Sequence, residues 1–129
     1  MSVVITSLYA AIAALFYLGL TLWVILYRGK TRISLGDGED KGLRKRMRVH
    51  ANFIEYAPLA LILIALSELS GATPVGLHIL GLALITGRAL HAYGFGRAPQ
   101  ILILRQIGML STLCVIAAAA VWLLILTQI

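Results

Sequence analysis

Arg48, Asn52, Glu55 and Tyr56 stand close together in the stretch Arg48-Val49-His50-Ala51-Asn52-Phe53-Ile54-Glu55-Tyr56-Ala57-Pro58. At about 100° per residue they fall near 0°, 40°, 340° and 80° on a helical wheel, so a guanidinium, an amide, a carboxylate and a phenol share one arc. The stretch opens an apolar segment that runs from about Met47 to Leu69. Glu55 is about 10 Å further along the axis than Arg48. An acidic group at mid-membrane costs roughly 2.5–3.5 kcal/mol on insertion scales, so Glu55 must face protein, water or a ligand. Two readings stay open at this point: an ion pair that joins helices, or a polar site.

A second set of residues lies further along. Arg88, His91 and Phe95 follow at i, i+3 and i+7 and share a helical face, whereas Tyr93 points about 140° away from Arg88. Arg105 opens the last apolar segment. The plainer readings are a histidine that hydrogen-bonds between helices and arginines that reach to the membrane interface. Other chemistries fit poorly. Among His50, His78 and His91 no two have the i, i+3 or i+4 spacing of a metal pair, so no metal is expected. Gly94-Phe95-Gly96 lacks the strand context of a phosphate cradle. No Ser-His-Asp arrangement can be assembled. Cys114, alone in an apolar run, reads as a buried structural thiol.

The elements that must position these residues are read from hydropathy. Of the 129 residues 60% are hydrophobic and mean hydropathy is +0.95, well above the 45–50% apolar content of typical soluble domains. Four apolar segments, about 3–27, 47–69, 75–95 and 101–126, are each long enough to span a bilayer. The expectation is one all-α domain over residues 1–129, a polytopic four-helix membrane bundle. The first segment is too long for a signal peptide and lacks a basic leader. Gly19 offers a close helix approach, Pro58 loosens the second helix, and Glu68 is expected to be solvated at that helix's end. Thr31–Lys45 is the longest polar loop.

Eight of the 11 Lys and Arg residues lie between Arg28 and Arg48, which explains the net charge of +6. That clustering fits a membrane-flanking loop rather than a nucleic-acid surface. The loop is expected in the cytoplasm with both termini outside. Arg88, Arg97 and Arg105 then fall at the same end as the loop. A cation-rich site with one carboxylate and one phenol suits a small zwitterion with surplus negative charge. Arginines clamp carboxylates, and a carboxylate holds an ammonium. Glutathione, with two carboxylates and one amine, is such a ligand.

Arg48-x-x-x-Asn52-x-x-Glu55-Tyr56-x-Pro58 resembles the R-x-x-x-N-x-x-E-[YN]-x-P hallmark of the MAPEG family, membrane-associated proteins in eicosanoid and glutathione metabolism. The likeness in length, spans and basic first loop extends over nearly the whole chain. It implies a homotrimer, with glutathione as co-substrate bound between subunits near the cytoplasmic side and no metal. Carried over by position, Arg48, Asn52, Glu55 and Tyr56 match glutathione contacts. His50 falls where relatives carry glutamine and would face another subunit's site. Arg28 resembles the arginine that ends the first helix, and Arg88-x-x-His91 resembles an R-x-x-[YH] pair on the third. Arg105 resembles the arginine that activates the thiol, lowering its pKa through positive charge.

The pattern departs in places. Phe95 stands where several relatives have tyrosine, and Tyr93 replaces it only if the helix is irregular near Gly94. Gln106 and Met109 stand where prostaglandin synthases place serine and tyrosine, which argues against that isomerase chemistry. The resemblance implies a transferase or peroxidase acting on lipophilic electrophiles that enter from the bilayer. It is closest to bacterial members, which places the chain in an inner membrane. Two rivals remain: a non-catalytic lipid-binding or scaffold member of the family, and a small transporter that uses Glu55 as a cation site. The topology gives a direct check. Cysteines introduced as Ser34→Cys and Thr73→Cys should label from opposite sides of the membrane, and labelling from one side would overturn the charge argument.

Overall fold

Long runs of Leu, Ile, Val and Ala leave the backbone one economical way to satisfy its hydrogen bonds in an apolar medium, the α-helix. The computed structural model describes residues 2–128 and contains four helices: α1 Val4–Thr31, α2 Lys41–Leu69, α3 Pro74–Gly96 and α4 Leu102–Leu126. Each is long and apolar enough to cross a membrane. Leucines and isoleucines stand exposed on all four, on α1 from Leu8 to Leu26 and on α4 from Leu102 to Ile125. The protein is an integral membrane protein with four spans.

Helix and span are different lengths. α1 runs four residues past the apolar window, to Thr31, and α2 starts six residues before it, at Lys41. Lysine and arginine are good helix formers, and Asp40 caps the start of α2 by accepting from the Leu43 amide at 2.7 Å. The polar loop therefore shrinks to 32–40, and Arg44 to Arg48 project from a helix. Arg28 braces that loop, donating to the carbonyls of Ile33 (3.1 Å) and Gly36 (2.8 Å). Asp37 pairs with Arg44. That bond holds the Asp37 carboxyl below the usual carboxylate range, and the Leu43 amide does the same for Asp40. Both contributions are present above the ordinary carboxylate pKa and fade as pH falls through the lower folded-state values.

α2 lies at the centre and packs against the other three helices. One core cluster, with Ile64, Leu77, Leu84 and Val115, fills the end away from the basic loops, and another, with Leu20, Val49 and Phe53, joins α1 to α2. α2 runs through Pro58 without a break. The closest approach is between α3 and α4. A Cβ on Gly108 would collide with the His91 amide and the Gly87 carbonyl, and one on Gly94 would lie 2.6 Å from the Arg105 amide. Glycine at these crossings lets the two backbones touch.

Three expectations change. A Cβ on Gly19 would meet nothing from another helix within 4 Å, so Gly19 mediates no close helix contact in the protomer. Cys114 is exposed on α4 rather than buried; in a membrane span an apolar neighbourhood does not separate the core side from the lipid side. Glu68 is half-buried rather than solvated. Its carboxylate accepts from the amides of Ile5 (2.9 Å) and Thr6 (2.8 Å) and from Thr6 Oγ1 (2.6 Å), so it closes the N-terminus of α1.

The glycine contact can be checked. Gly108→Val should lower the unfolding midpoint in detergent, with an overpacking cost of about 1–3 kcal/mol. Gly19→Ala should leave it unchanged. Equal midpoints for Gly108→Val and the unaltered protein would contradict the close crossing.

Candidate functional site

The polar residues of α2, α3 and α4 meet through one guanidinium. Arg88 is only 1% exposed. Its Nε donates to Thr112 Oγ1 on α4 (2.8 Å), its Nη1 to Asn52 Oδ1 on α2 (2.6 Å) and its Nη2 to Met109 Sδ (3.6 Å). The Tyr56 ring lies 5.7 Å from the guanidinium. Thr112 passes its own proton to the Gly108 carbonyl at 3.0 Å. A buried charge is tolerated only when its donors are satisfied, and here neutral acceptors do that work. Because Asn52 Oδ1 is committed to Arg88, the Asn52 amide nitrogen is the end left for any further contact.

One turn above, a cavity of about 390 Å³ is lined by Asn52, His91, Leu102, Arg105, Gln106 and Met109. His91 is 4% exposed, with the Phe95 ring edge-on at 5.8 Å. The Arg105 guanidinium lies 4.1 Å from the Phe95 ring, and its Nη1 donates to Gln100 Oε1 at 3.0 Å. Phe95 and Gln100 also line a second cavity of about 220 Å³ with Lys41, Arg44, Lys45 and Arg48. Lys45 Nζ donates to the Arg97 carbonyl at 2.7 Å, joining α2 to the end of α3. Both basic stretches of the sequence thus share one end of the bundle.

Asn52, Tyr56, Arg88, His91 and Arg105 therefore come together within one protomer. Arg88 is beneath the cavity surface and acts on it through Asn52. Arg48 and Glu55 are exposed on the outward arc of α2, in line with exposed Leu59, Ile62 and Leu66. Three residues are placed elsewhere. His50 turns to α1, where Nε2 is 3.0 Å from Thr21 Oγ1 and the ring stacks on Tyr17 at 4.8 Å. Arg28 is occupied by the α1–α2 loop and by Met47 Sδ. Tyr93 faces the groove between α1 and α3. α3 is helical through Gly96, so Tyr93 is about 200° around the axis from His91, and Phe95 stands beside Arg105.

Thr112 escaped the sequence reading. Its signal was present: Arg105, Gly108, Met109 and Thr112 recur at i, i+3, i+4 and i+7, the stripe α4 presents to α3. Gln100 lies in the connection before α4 and had no periodic signal. Among the described residues no three His, Cys, Asp or Glu side chains cluster as a metal site would need.

Thr112→Val keeps the shape but leaves Arg88 Nε without its acceptor. Loss of a hydrogen bond to a charged group costs about 1.5–3 kcal/mol. The unfolding midpoint in detergent should fall for Thr112→Val and stay near the parent value for Thr112→Ser. No difference between the two would show that Thr112 does not hold the guanidinium.

Comparison with known proteins identifies the family of the chain. A sequence model of the MAPEG family matches residues 6–125. Inner membrane protein YecN of Escherichia coli K12 is 34% identical over 110 residues, covering 85% of this chain and 82% of YecN. The YecN protein of Escherichia coli O6:H1 strain CFT073 gives the same figures. A match over nearly the whole chain, together with four membrane-spanning helices, places the protein in the MAPEG family.

Proposed function

We propose that the protein is a glutathione-dependent membrane transferase or peroxidase acting on lipophilic electrophiles, with the tripeptide bound at subunit interfaces. The observation that carries this reading is the 390 Å³ cavity under Arg105, which has cationic and amide donors and no carboxylate among its lining residues. Its volume lies in the roughly 300–1,000 Å³ range of small-molecule sites. Arg105 would stabilise the thiolate of glutathione, since a nearby positive charge favours the anion. Arg48 and the basic cavity beside Phe95 would hold the peptide carboxylates, the Asn52 amide would donate to the backbone, and Glu55 would pair with the ammonium.

Assembly belongs to the same proposal. Glu55 is exposed on the protomer at membrane depth, a position that lipid cannot solvate. A neighbouring copy would cover the α2 arc of Arg48, Glu55, Leu59, Ile62 and Leu66, and the family's homotrimer supplies it. The basic end of the bundle would lie in the cytoplasm and the termini outside, as the cluster of lysines and arginines favours, in an inner membrane like the one in the name of YecN.

Arg105 tests the chemistry. Arg105→Leu should bind glutathione nearly as the parent does, yet form little thiolate at neutral pH in ultraviolet difference spectra. Its turnover of an aryl halide should fall roughly 10²-fold, in kcat and kcat/KM together. Equal turnover would remove Arg105 from the mechanism. Glutathione binding without thiolate or turnover in the parent would favour a non-catalytic scaffold. Glu55→Gln addresses the ligand: it should keep the oligomer and weaken glutathione binding. Loss of the oligomer with binding retained would instead make Glu55 an assembly residue.

A further inference from the structure

A larger cavity than the one beneath Arg105 lies elsewhere in the protomer. It is a groove of about 450 Å³ between α1 and α3, at the basic end of the bundle. Phe16, Leu20 and Trp23 form its α1 wall, and Ala89, Ala92 and Tyr93 its α3 wall. It owes its depth to small residues: a Cβ on Gly96 would lie 3.0 Å from the Trp23 ring. Apart from the Trp23 indole N–H, the Tyr93 hydroxyl and Arg97, the side chains that line it are apolar. The one charged group is Arg97 at the mouth, its guanidinium 5.3 Å from the Tyr93 ring.

Trp23 also walls a second cavity of about 260 Å³, which holds Lys30 and Arg46. The Arg46 guanidinium lies 4.8 Å from the Trp23 ring and 3.9 Å from the Tyr27 ring. Its Nε is buried with no hydrogen-bond partner. Among the described residues the ion pair is Arg44–Asp37, so Lys30, Arg46 and Arg97 have no carboxylate partner. The arrangement is an apolar channel, flanked by interfacial aromatic rings, that ends at cations outside any ion pair; the Asp40 carboxylate, which accepts from the Tyr27 hydroxyl at 3.1 Å, is in Coulombic reach of Arg46.

We propose that this groove binds an acyl chain of an anionic phospholipid, whose phosphate is held by Arg97 with Arg46 and Lys30 beyond Trp23. The apolar walls match a hydrocarbon tail along the bundle. Trp23 and Tyr93 stand at headgroup level, and the cations match the phosphate. The site is on the opposite side of α3 from His91 and does not depend on the thiol chemistry proposed above.

The test uses delipidated protein in detergent and native mass spectrometry. Phosphatidylglycerol and phosphatidylcholine with identical chains are compared with glycerophosphoglycerol, which has the headgroup and no chains. The protein should retain phosphatidylglycerol roughly fivefold or more over phosphatidylcholine and should not retain glycerophosphoglycerol. Arg97→Gln, at an exposed position, should lower the preference several-fold, and Lys30→Gln reports on it independently. Ala89→Leu, on an exposed wall position, should lower retention of both lipids. Equal retention of the two lipids, an unchanged preference in both charge variants, or equal binding of the chainless headgroup would overturn the proposal. So would a change in subunit number with Ala89→Leu, which would make the groove a contact between copies.

Discussion

The bundle depends on a charge with nowhere else to go. Arg88 is buried at the meeting of three helices, and its guanidinium is satisfied by Asn52 of α2, Thr112 of α4 and the Met109 sulfur. In an apolar medium an unpartnered donor costs several kcal/mol, so these contacts fix how far each helix can slide against its neighbours. The glycine contact between α3 and α4 is the other half of the constraint. Without Gly108 the two backbones could not come close enough for Thr112 to reach Arg88.

The polar cavity follows from that register. With Asn52 turned toward Arg88, its amide nitrogen is left for the cavity, and Arg105 is carried over Phe95 by the same α3–α4 crossing. α1 is held differently. It packs on α2 and is closed at its N-terminus by Glu68. Toward α3 it leaves a groove at the basic end. One side of α3 therefore faces the polar cavity through His91, and the other faces the groove through Tyr93. Two chemically different cavities arise on one helix because residues two apart in sequence are about 200° apart around its axis.

Much of this was legible in the sequence. Hydropathy located four spans, and periodicity placed Arg48, Asn52, Glu55 and Tyr56 on one arc of α2 and Arg88, His91 and Phe95 on one face of α3. What hydropathy could not give was the ends of the helices, since α2 begins at a capping aspartate in the polar region. Nor could it orient helices in lipid, where both sides of a span are apolar; hence Cys114 and Gly19 proved to face outward. Glu68 closes a helix 62 positions away, and Thr112 meets Arg88 24 positions away. Such pairings arise from packing and leave no local trace.

The central claim is that the cavity under Arg105 is built for glutathione. The most direct measurement is the unfolding midpoint of the purified protein in detergent as glutathione is titrated, beside the dipeptide Cys-Gly, which lacks the γ-glutamyl carboxylate and amine. A ligand that binds only the folded state raises stability by RT ln(1 + [L]/Kd). The account predicts a saturable rise with glutathione and a much smaller one with Cys-Gly at equal concentration. No rise with glutathione, or equal rises with the two thiols, would contradict it.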